Sequence, residues 1–174
     1  SRGQRSPEPL RVVLSRSLDL PDQAQLWDTS VAPTLLAHGT NADPDRLPSG
    51  PETLDLGLCD PLRLMEALAE RGCNRVLWEC GPALAAAAIR QGCVQEIAAV
   101  VAPKLMGGDP ARTPLGDLGR TTMDQVLTHR GAVVQSLGTD WLLRLGISVS
   151  PRWIRWWPTT RWWFNRWGRI GCSS

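Results

Sequence analysis

Two junctions of the same form constrain the fold of this chain most strongly. The stretches "RGCNRV" (71–76) and "QGCVQEI" (91–97) each pass from a helical pattern through Gly-Cys into a strand pattern. Before the first junction, Asp60 and Pro61 suit the start of a helix, and apolar residues then recur at spacings of three and four. Gly72 suits the end of that helix. This alternation predicts an α/β domain.

The second half of this pattern predicts a complete βαβ unit. "NRVLWE" (74–79) is predicted as a strand, a helix runs from Gly81 or Pro82 to Gly92, and "QEIAAVVAP" (95–103) is predicted as the next strand. Two strands joined by one helix of this length run parallel in a sheet. Glu79 then lies at the carboxyl edge of that sheet, where open α/β folds bind ligands.

The flanking segments extend the predicted sheet. Buried strands are expected at 10–15 and 33–39. Residues 40–58 are predicted to form a surface connection that contains at most a short strand. A short helix is expected near 122–128, and 132–148 reads as a hairpin around Gly138. The fold class is therefore α/β, with a mixed, mostly parallel sheet and a C-terminal antiparallel hairpin.

Composition excludes several classes of protein. All 17 acidic residues precede residue 150, so this body has a net charge of about −3, whereas residues 151–174 carry +5. A body of this charge does not suggest nucleic-acid binding. No run reaches the roughly 20 apolar residues that a spanning helix needs, and no secretory leader is evident. We expect a cytoplasmic protein without membrane or nucleic-acid partners.

The cysteines and histidines do not form a metal-binding pattern. The five cysteines include no CxxC pair, and the two histidines, His38 and His129, are far apart in sequence. No metal is expected. The cysteines are expected to be reduced thiols that act as small core residues.

Glu79 is the residue with the clearest chemical implication. A carboxylate that ends an otherwise apolar strand must be hydrated, paired or used, because burying it unpaired is costly. It could bond to a neighbouring loop, or it could hold the hydroxyl groups of a ligand. The residues alone leave both alternatives open.

The helix that follows Glu79 suits an anion. A helix start presents backbone N–H groups and the positive end of its dipole, and Gly81 together with the small residues Ala83–Ala87 leaves space for a phosphate. The same features are also found where a helix only packs closely on a sheet. Neither GxGxxG nor GxxxxGK[ST] occurs, which argues against a classical Rossmann fold or P-loop.

These residues resemble a known family. "VLWECGPALAAAAIRQGCVQEIAAVVAPKLMGG" (76–108), with "PLRVVLSRSLDLP" upstream and "GTDWLLRLG" downstream, is similar to the reductase domain of the riboflavin-biosynthesis deaminase-reductase family. The variant is cyanobacterial or plant-like. The resemblance implies a dihydrofolate-reductase-like, three-layer fold. It also implies NADPH-dependent reduction of 5-amino-6-(5-phosphoribosylamino)uracil, a phosphorylated pyrimidine, to the ribitylamino product.

The resemblance assigns roles to individual residues. Glu79 matches the glutamate that contacts the substrate, which implies a partner for ribose hydroxyls. In the family, a turn and the start of the following helix hold the phosphates of NADPH. The matching residues of this chain are Gly81, Pro82, Ala83, Leu84, Ala85, Ala86 and Ala87. Where the family often has Asp-Ser, this chain has Ser15 and Arg16, so Arg16 departs from the family pattern and is either a partner of the cofactor 2′-phosphate or an exposed loop arginine. "PKLMGG" (103–108) is expected to be mainly architectural.

Several departures from the family pattern qualify the expected activity. Cys80 stands where the family usually has glycine, which matters if that position needs a positive φ or close approach of the cofactor. The Lys-x-Ala-x-Ser-Leu-Asp-Gly strand and the Asp/Thr pair near the nicotinamide are not found before Pro9, so the catalytic residues are not assigned. The alternative is a non-catalytic remnant that folds and binds nucleotide or a protein partner. A homodimer is also expected from the resemblance.

The expected domain organisation has three parts. Residues 1–8 are a loop remnant without order, 9–148 form a partial reductase domain, and 149–174 form a tail rich in Trp and Arg. The tail could in principle lie in a membrane interface or stack on nucleic-acid bases. We favour a third interpretation, in which an altered reading frame or a cloning remnant produced it.

Overall fold

The computed structural model describes residues 9–105, 107 and 113–147. Within these residues the chain forms two compact units, one ending at Val76 and one beginning at Leu77. The predicted segments 1–8 and 149–174 lie outside the described residues.

The first unit is a parallel sheet with one α-helix. Strands β1 (Arg11–Leu14), β2 (Thr34–His38) and β3 (Glu52–Asp55) lie in the order β1-β2-β3, and both pairs are parallel. The central strand β2 is buried from Thr34 to Ala37, as expected for a strand that has neighbours on both sides. The predicted strands at 10–15 and 33–39 are confirmed, and β3 is the short strand allowed within 40–58.

Helix α1 (Pro61–Glu70) follows β3 and has the predicted boundaries. The Asp60 side chain caps it by accepting a hydrogen bond from the Arg63 backbone N–H at 2.9 Å. Its buried apolar face includes Leu64 and Leu68, each 1% exposed. Gly72 has a φ of +80°, the left-handed conformation that ends a helix at low steric cost.

The second unit combines one helix with an antiparallel sheet. Helix α2 (Pro82–Arg90) precedes β4 (Glu96–Val101), and β5 (His129–Leu137) and β6 (Asp140–Ile147) form the predicted hairpin. The strand order is β4-β6-β5, with both pairs antiparallel. Arg144 on β6 donates two hydrogen bonds of 2.9 Å to the Glu96 carboxylate on β4.

The α/β prediction is confirmed, but the arrangement of strands differs from expectation in one respect. The described strands form one parallel and one antiparallel sheet, and the predicted strand at 74–79 belongs to neither. The predicted strand is therefore wrong, and so is the βαβ unit that depends on it. Burial does alternate, with Val76 and Trp78 buried and their neighbours more exposed. Alternating burial indicates only which way the side chains point. A β-strand also requires backbone hydrogen bonds to a neighbouring strand.

The structure also tests the predicted short helix near 122–128 and the predicted state of the cysteines. The short helix expected near 122–128 is a single 3₁₀ turn, Met123–Gln125. Cys59, Cys80 and Cys93 form no disulfide, whereas the buried Cys73 is disulfide-bonded, so the prediction of reduced thiols is wrong at Cys73. Sequence spacing alone does not reveal which cysteines are oxidised. Cys172 lies outside the described residues.

Candidate functional site

The start of α2 has no side-chain cap. Gly81 is the N-cap residue, with a φ of −67° and a ψ of 167°, and Pro82 occupies the first helical position. Gly81 provides no side-chain cap bond, and Gly81, Pro82 and Ala83 are exposed among the described residues. The first-turn N–H groups of a helix need an acceptor from outside the helix, so this end of α2 can receive an anion.

Space around Gly81 agrees with this interpretation. A Cβ atom built on Gly81 would have no heavy atom within 4 Å, and the φ of −67° is one that any residue adopts. The chain itself therefore does not require glycine at this position.

The alanines of α2 divide between exposed and packed positions. Ala83 is exposed, Leu84, Ala85 and Ala87 are half-buried, and Ala86 and Ala88 are buried at 1% and 0% exposure. The methyl group of Ala86 is therefore part of the core, whereas Pro82 and Ala83 lie open to solvent. Within the predicted cofactor-binding segment 81–87, Gly81, Pro82 and Ala83 are the most exposed residues.

Glu79 lies two residues before Gly81, at the end of segment 74–79. Its side chain is half-buried, and its Oε2 atom is withdrawn from solvent. The carboxylate and the uncapped helix start thus lie on one short stretch of chain. They offer a hydrogen-bond acceptor for hydroxyl groups and, two residues later, backbone donors for an anion.

Cys80, between Glu79 and Gly81, does not strain the backbone. Leu18 is the one residue other than glycine that has a positive φ in the described part of the chain, so Cys80 adopts an ordinary conformation. The concern that this position needs glycine for its φ is therefore removed. Burial raises the pKa of the half-buried Cys80 thiol above its ordinary value.

A loop that sequence reasoning missed lies against the same helix. The backbone N–H of Gly116 donates to the Pro82 carbonyl oxygen at 2.9 Å, and Arg90 donates to the Asp117 carbonyl. We call Thr113–Gly119 the 113–119 loop. The contact joins residues more than thirty positions apart, which no local sequence pattern reveals.

Arg16 belongs to the first unit, at the end of β1. It is exposed and lies within a turn in which the Leu18 N–H donates to the Ser15 Oγ at 3.1 Å. Burial raises the pKa of the Cys59 thiol, the Arg16 charge opposes this rise, and Asp60 adds to it. Arg16 therefore lies near the loop before α1, at the carboxyl edge of the parallel sheet, where ligands commonly bind.

A cleft of about 390 Å³ begins two residues after Arg16. Its walls include the indole ring of Trp27, the carboxylates of Asp19, Asp22 and Asp45, and the Arg46 guanidinium. No group of three or more His, Cys, Asp or Glu side chains in the described ranges is arranged to hold a metal ion. None of the helices among the described residues has the length and apolar content needed to span a membrane.

Comparison with known proteins decides the family. Residues 1–143 match the RibD C-terminal domain. The chain belongs to this family. The resemblance recognised from the sequence is therefore confirmed, and a family of reductases implies a nicotinamide cofactor in general terms.

Individual relatives of this RibD C-terminal domain agree with that result. The riboflavin biosynthesis protein RibD of Synechocystis is 50% identical over 138 residues, covering 77% of this chain and 38% of that protein. The chloroplastic riboflavin biosynthesis protein PYRR of Arabidopsis thaliana is 37% identical over 139 residues, covering 78% of this chain and 23% of that protein. The chain thus spans well under two thirds of these relatives.

A solved structure supports the fold. RibD of Acinetobacter baumannii has a TM-score of 0.65 at 25% identity, covering 79% of this chain and 37% of that one. The predicted dihydrofolate-reductase-like fold of this RibD C-terminal domain is confirmed by that likeness.

The Cys80 thiol gives a prediction for pH dependence. A raised pKa keeps the thiol protonated to higher pH, and only the thiolate is alkylated efficiently. Alkylation of Cys80 by iodoacetamide, followed by peptide mass spectrometry, should therefore reach half its maximal rate at a higher pH in the folded chain than in the urea-unfolded chain. Equal midpoints in the two states would contradict the burial argument.

Proposed function

We propose that this RibD C-terminal domain reduces 5-amino-6-(5-phosphoribosylamino)uracil to the ribitylamino product, with NADPH as the reductant. The observation that carries the proposal is the uncapped, exposed start of α2 directly after Glu79. Family membership and the riboflavin-biosynthesis names of the relatives support the substrate class. NADPH supplies the hydride that reduces C1 of the sugar.

The residues at the start of α2 suit the phosphates of this cofactor. The open space at Gly81 permits close approach to the backbone, and the N–H groups of Ala83 and Leu84 are available in a first turn without a side-chain cap. In the proposed arrangement, Gly81 to Ala87 form the phosphate turn, in which Ala85, Ala86 and Ala87 pack the helix while Gly81, Pro82 and Ala83 meet the ligand.

Two side chains complete the proposal. The Glu79 carboxylate accepts hydrogen bonds from ribose hydroxyls of the substrate and so orients the sugar for reduction. The exposed Arg16 guanidinium pairs with the 2′-phosphate, the group that distinguishes NADPH from NADH. Substitution of Glu79 is therefore expected to affect binding of the substrate, whereas substitution of Arg16 is expected to affect binding of NADPH.

A second candidate function is a folded domain that binds nucleotide or a protein partner without turnover. The observation in its favour is that the strand-like segment 74–79 joins neither of the described sheets. Turnover assays separate this candidate from the first, because only the reductase consumes NADPH in the presence of the substrate.

The first test is titration of the 174-residue chain with NADPH, together with Gly81→Ala. The chain has room for the added methyl group, so the variant should fold normally while its Kd for NADPH rises roughly tenfold, since the methyl stands in the path of the phosphate. Gly131→Ala, which also adds a methyl in open space, is the matched control. No binding by the folded wild-type chain at millimolar NADPH would sink the cofactor proposal.

Glu79→Gln tests the substrate role. Loss of the charged acceptor should weaken substrate binding about tenfold or more, because hydrogen bonds to charged groups are the stronger ones, while NADPH binding changes little. Isothermal titration with each ligand measures both effects, and the exposed Glu70→Gln serves as control. Equal losses for substrate and NADPH would contradict the assigned role.

Arg16→Gln tests the preference for the 2′-phosphate. The Kd for NADPH should rise roughly tenfold because one charge-assisted contact is lost, whereas the Kd for NADH should not change. Arg63→Gln, an exposed change on α1, is the control. A parallel loss of affinity for both cofactors would show that Arg16 acts through the fold, and no loss would leave it an exposed loop residue.

A further inference from the structure

The contact between the 113–119 loop and the first turn of α2 uses backbone atoms on both sides. Gly116 N–H donates to the Pro82 carbonyl at 2.9 Å, next to the uncapped residues that we propose hold the cofactor phosphates. At the other end of the helix, the Arg90 guanidinium donates to the Asp117 carbonyl. The loop is therefore tied to both the first and the last residue of α2.

Steric space explains why residue 116 is glycine. A Cβ atom at this position would lie 3.0 Å from the Pro82 oxygen, 3.3 Å from the Pro82 carbonyl carbon and 3.5 Å from the Ala83 Cα. These are backbone atoms of the helix start, which cannot rotate away as a side chain would. The φ of Gly116 is not positive, so the requirement for glycine is one of space rather than of backbone conformation.

We propose that Gly116 is a positioning residue for the phosphate turn of the cofactor site, an inference that rests on the proposed function. With no side-chain cap, the first turn of α2 is oriented by its backbone contacts, and Gly116 supplies one of them. Hydrogen bonds from the Ala83 and Leu84 N–H groups to a phosphate depend on distances near 2.9 Å and on direction. A displaced helix start therefore holds the anion less well.

A purely structural role for Gly116 predicts a different result. If the loop only contributes packing, a side chain at residue 116 lowers the thermal stability and leaves the affinity of the folded molecules for NADPH unchanged. If the loop positions the turn, affinity falls even at temperatures where the variant is fully folded. Affinity measured well below the melting temperature separates the two roles.

The test uses Gly116→Ala in the 174-residue chain, with Gly146→Ala as the matched control. Gly146 lies in the same unit and has no positive φ, and a Cβ there meets no heavy atom within 4 Å. Gly116→Ala should raise the Kd for NADPH roughly tenfold, whereas Gly146→Ala should leave it unchanged. In the ligand-free chain, the amide NMR signals of Ala83 and Leu84 should shift in Gly116→Ala only.

Arg90→Gln provides a second variant in case Gly116→Ala does not fold. It removes the other tie of the 113–119 loop without a steric clash, and it should raise the Kd about threefold with smaller shifts of the same signals. Unchanged affinity and unchanged amide signals in the folded variant would overturn the proposal. If the wild-type chain does not bind NADPH, the proposed cofactor site fails, and the amide signals still decide whether Gly116 positions the turn.

Discussion

A backbone hydrogen bond to the Pro82 carbonyl joins the start of α2 to a distant loop of the second unit. This carbonyl belongs to a helix start that has no side-chain cap, and it accepts a hydrogen bond from Gly116 in a loop more than thirty residues away. Proline at this position has no N–H of its own to satisfy, and Gly81 adds no side chain. The result is an exposed helix end that a backbone contact stabilises, so its donors remain available to a ligand.

In the same stretch, Cys80 keeps an ordinary backbone conformation. Glycine at this position is common in the family to which the chain is similar, and the resemblance alone left open whether a side chain would force a strained backbone. Cys80 has no positive φ, so its side chain does not strain the backbone. The thiol is partly buried, and this burial raises its pKa. Leu18 differs from Cys80 because it has a positive φ of +54°, and its side chain is only 3% exposed.

Local signals predicted the helices well. Asp60 caps α1 as expected, Gly72 and Gly92 follow their helices with positive φ, and Gly81 and Pro82 begin α2. Each of these signals acts within about four residues, so neighbouring side chains are sufficient to specify it. The turn at Gly138 is also local, which is why the β5–β6 hairpin was predicted correctly.

The sequence by itself determined the helix boundaries, the β5–β6 hairpin, the α/β class and, through its motifs, the family. Only the tertiary structure decided which strands pair, that segment 74–79 joins neither described sheet, that Cys73 is disulfide-bonded, and that Gly116 meets Pro82. The physical reason is the range of the interactions. Helix caps and turns depend on residues next to one another, whereas strand partners, disulfides and loop contacts join residues that only folding brings together.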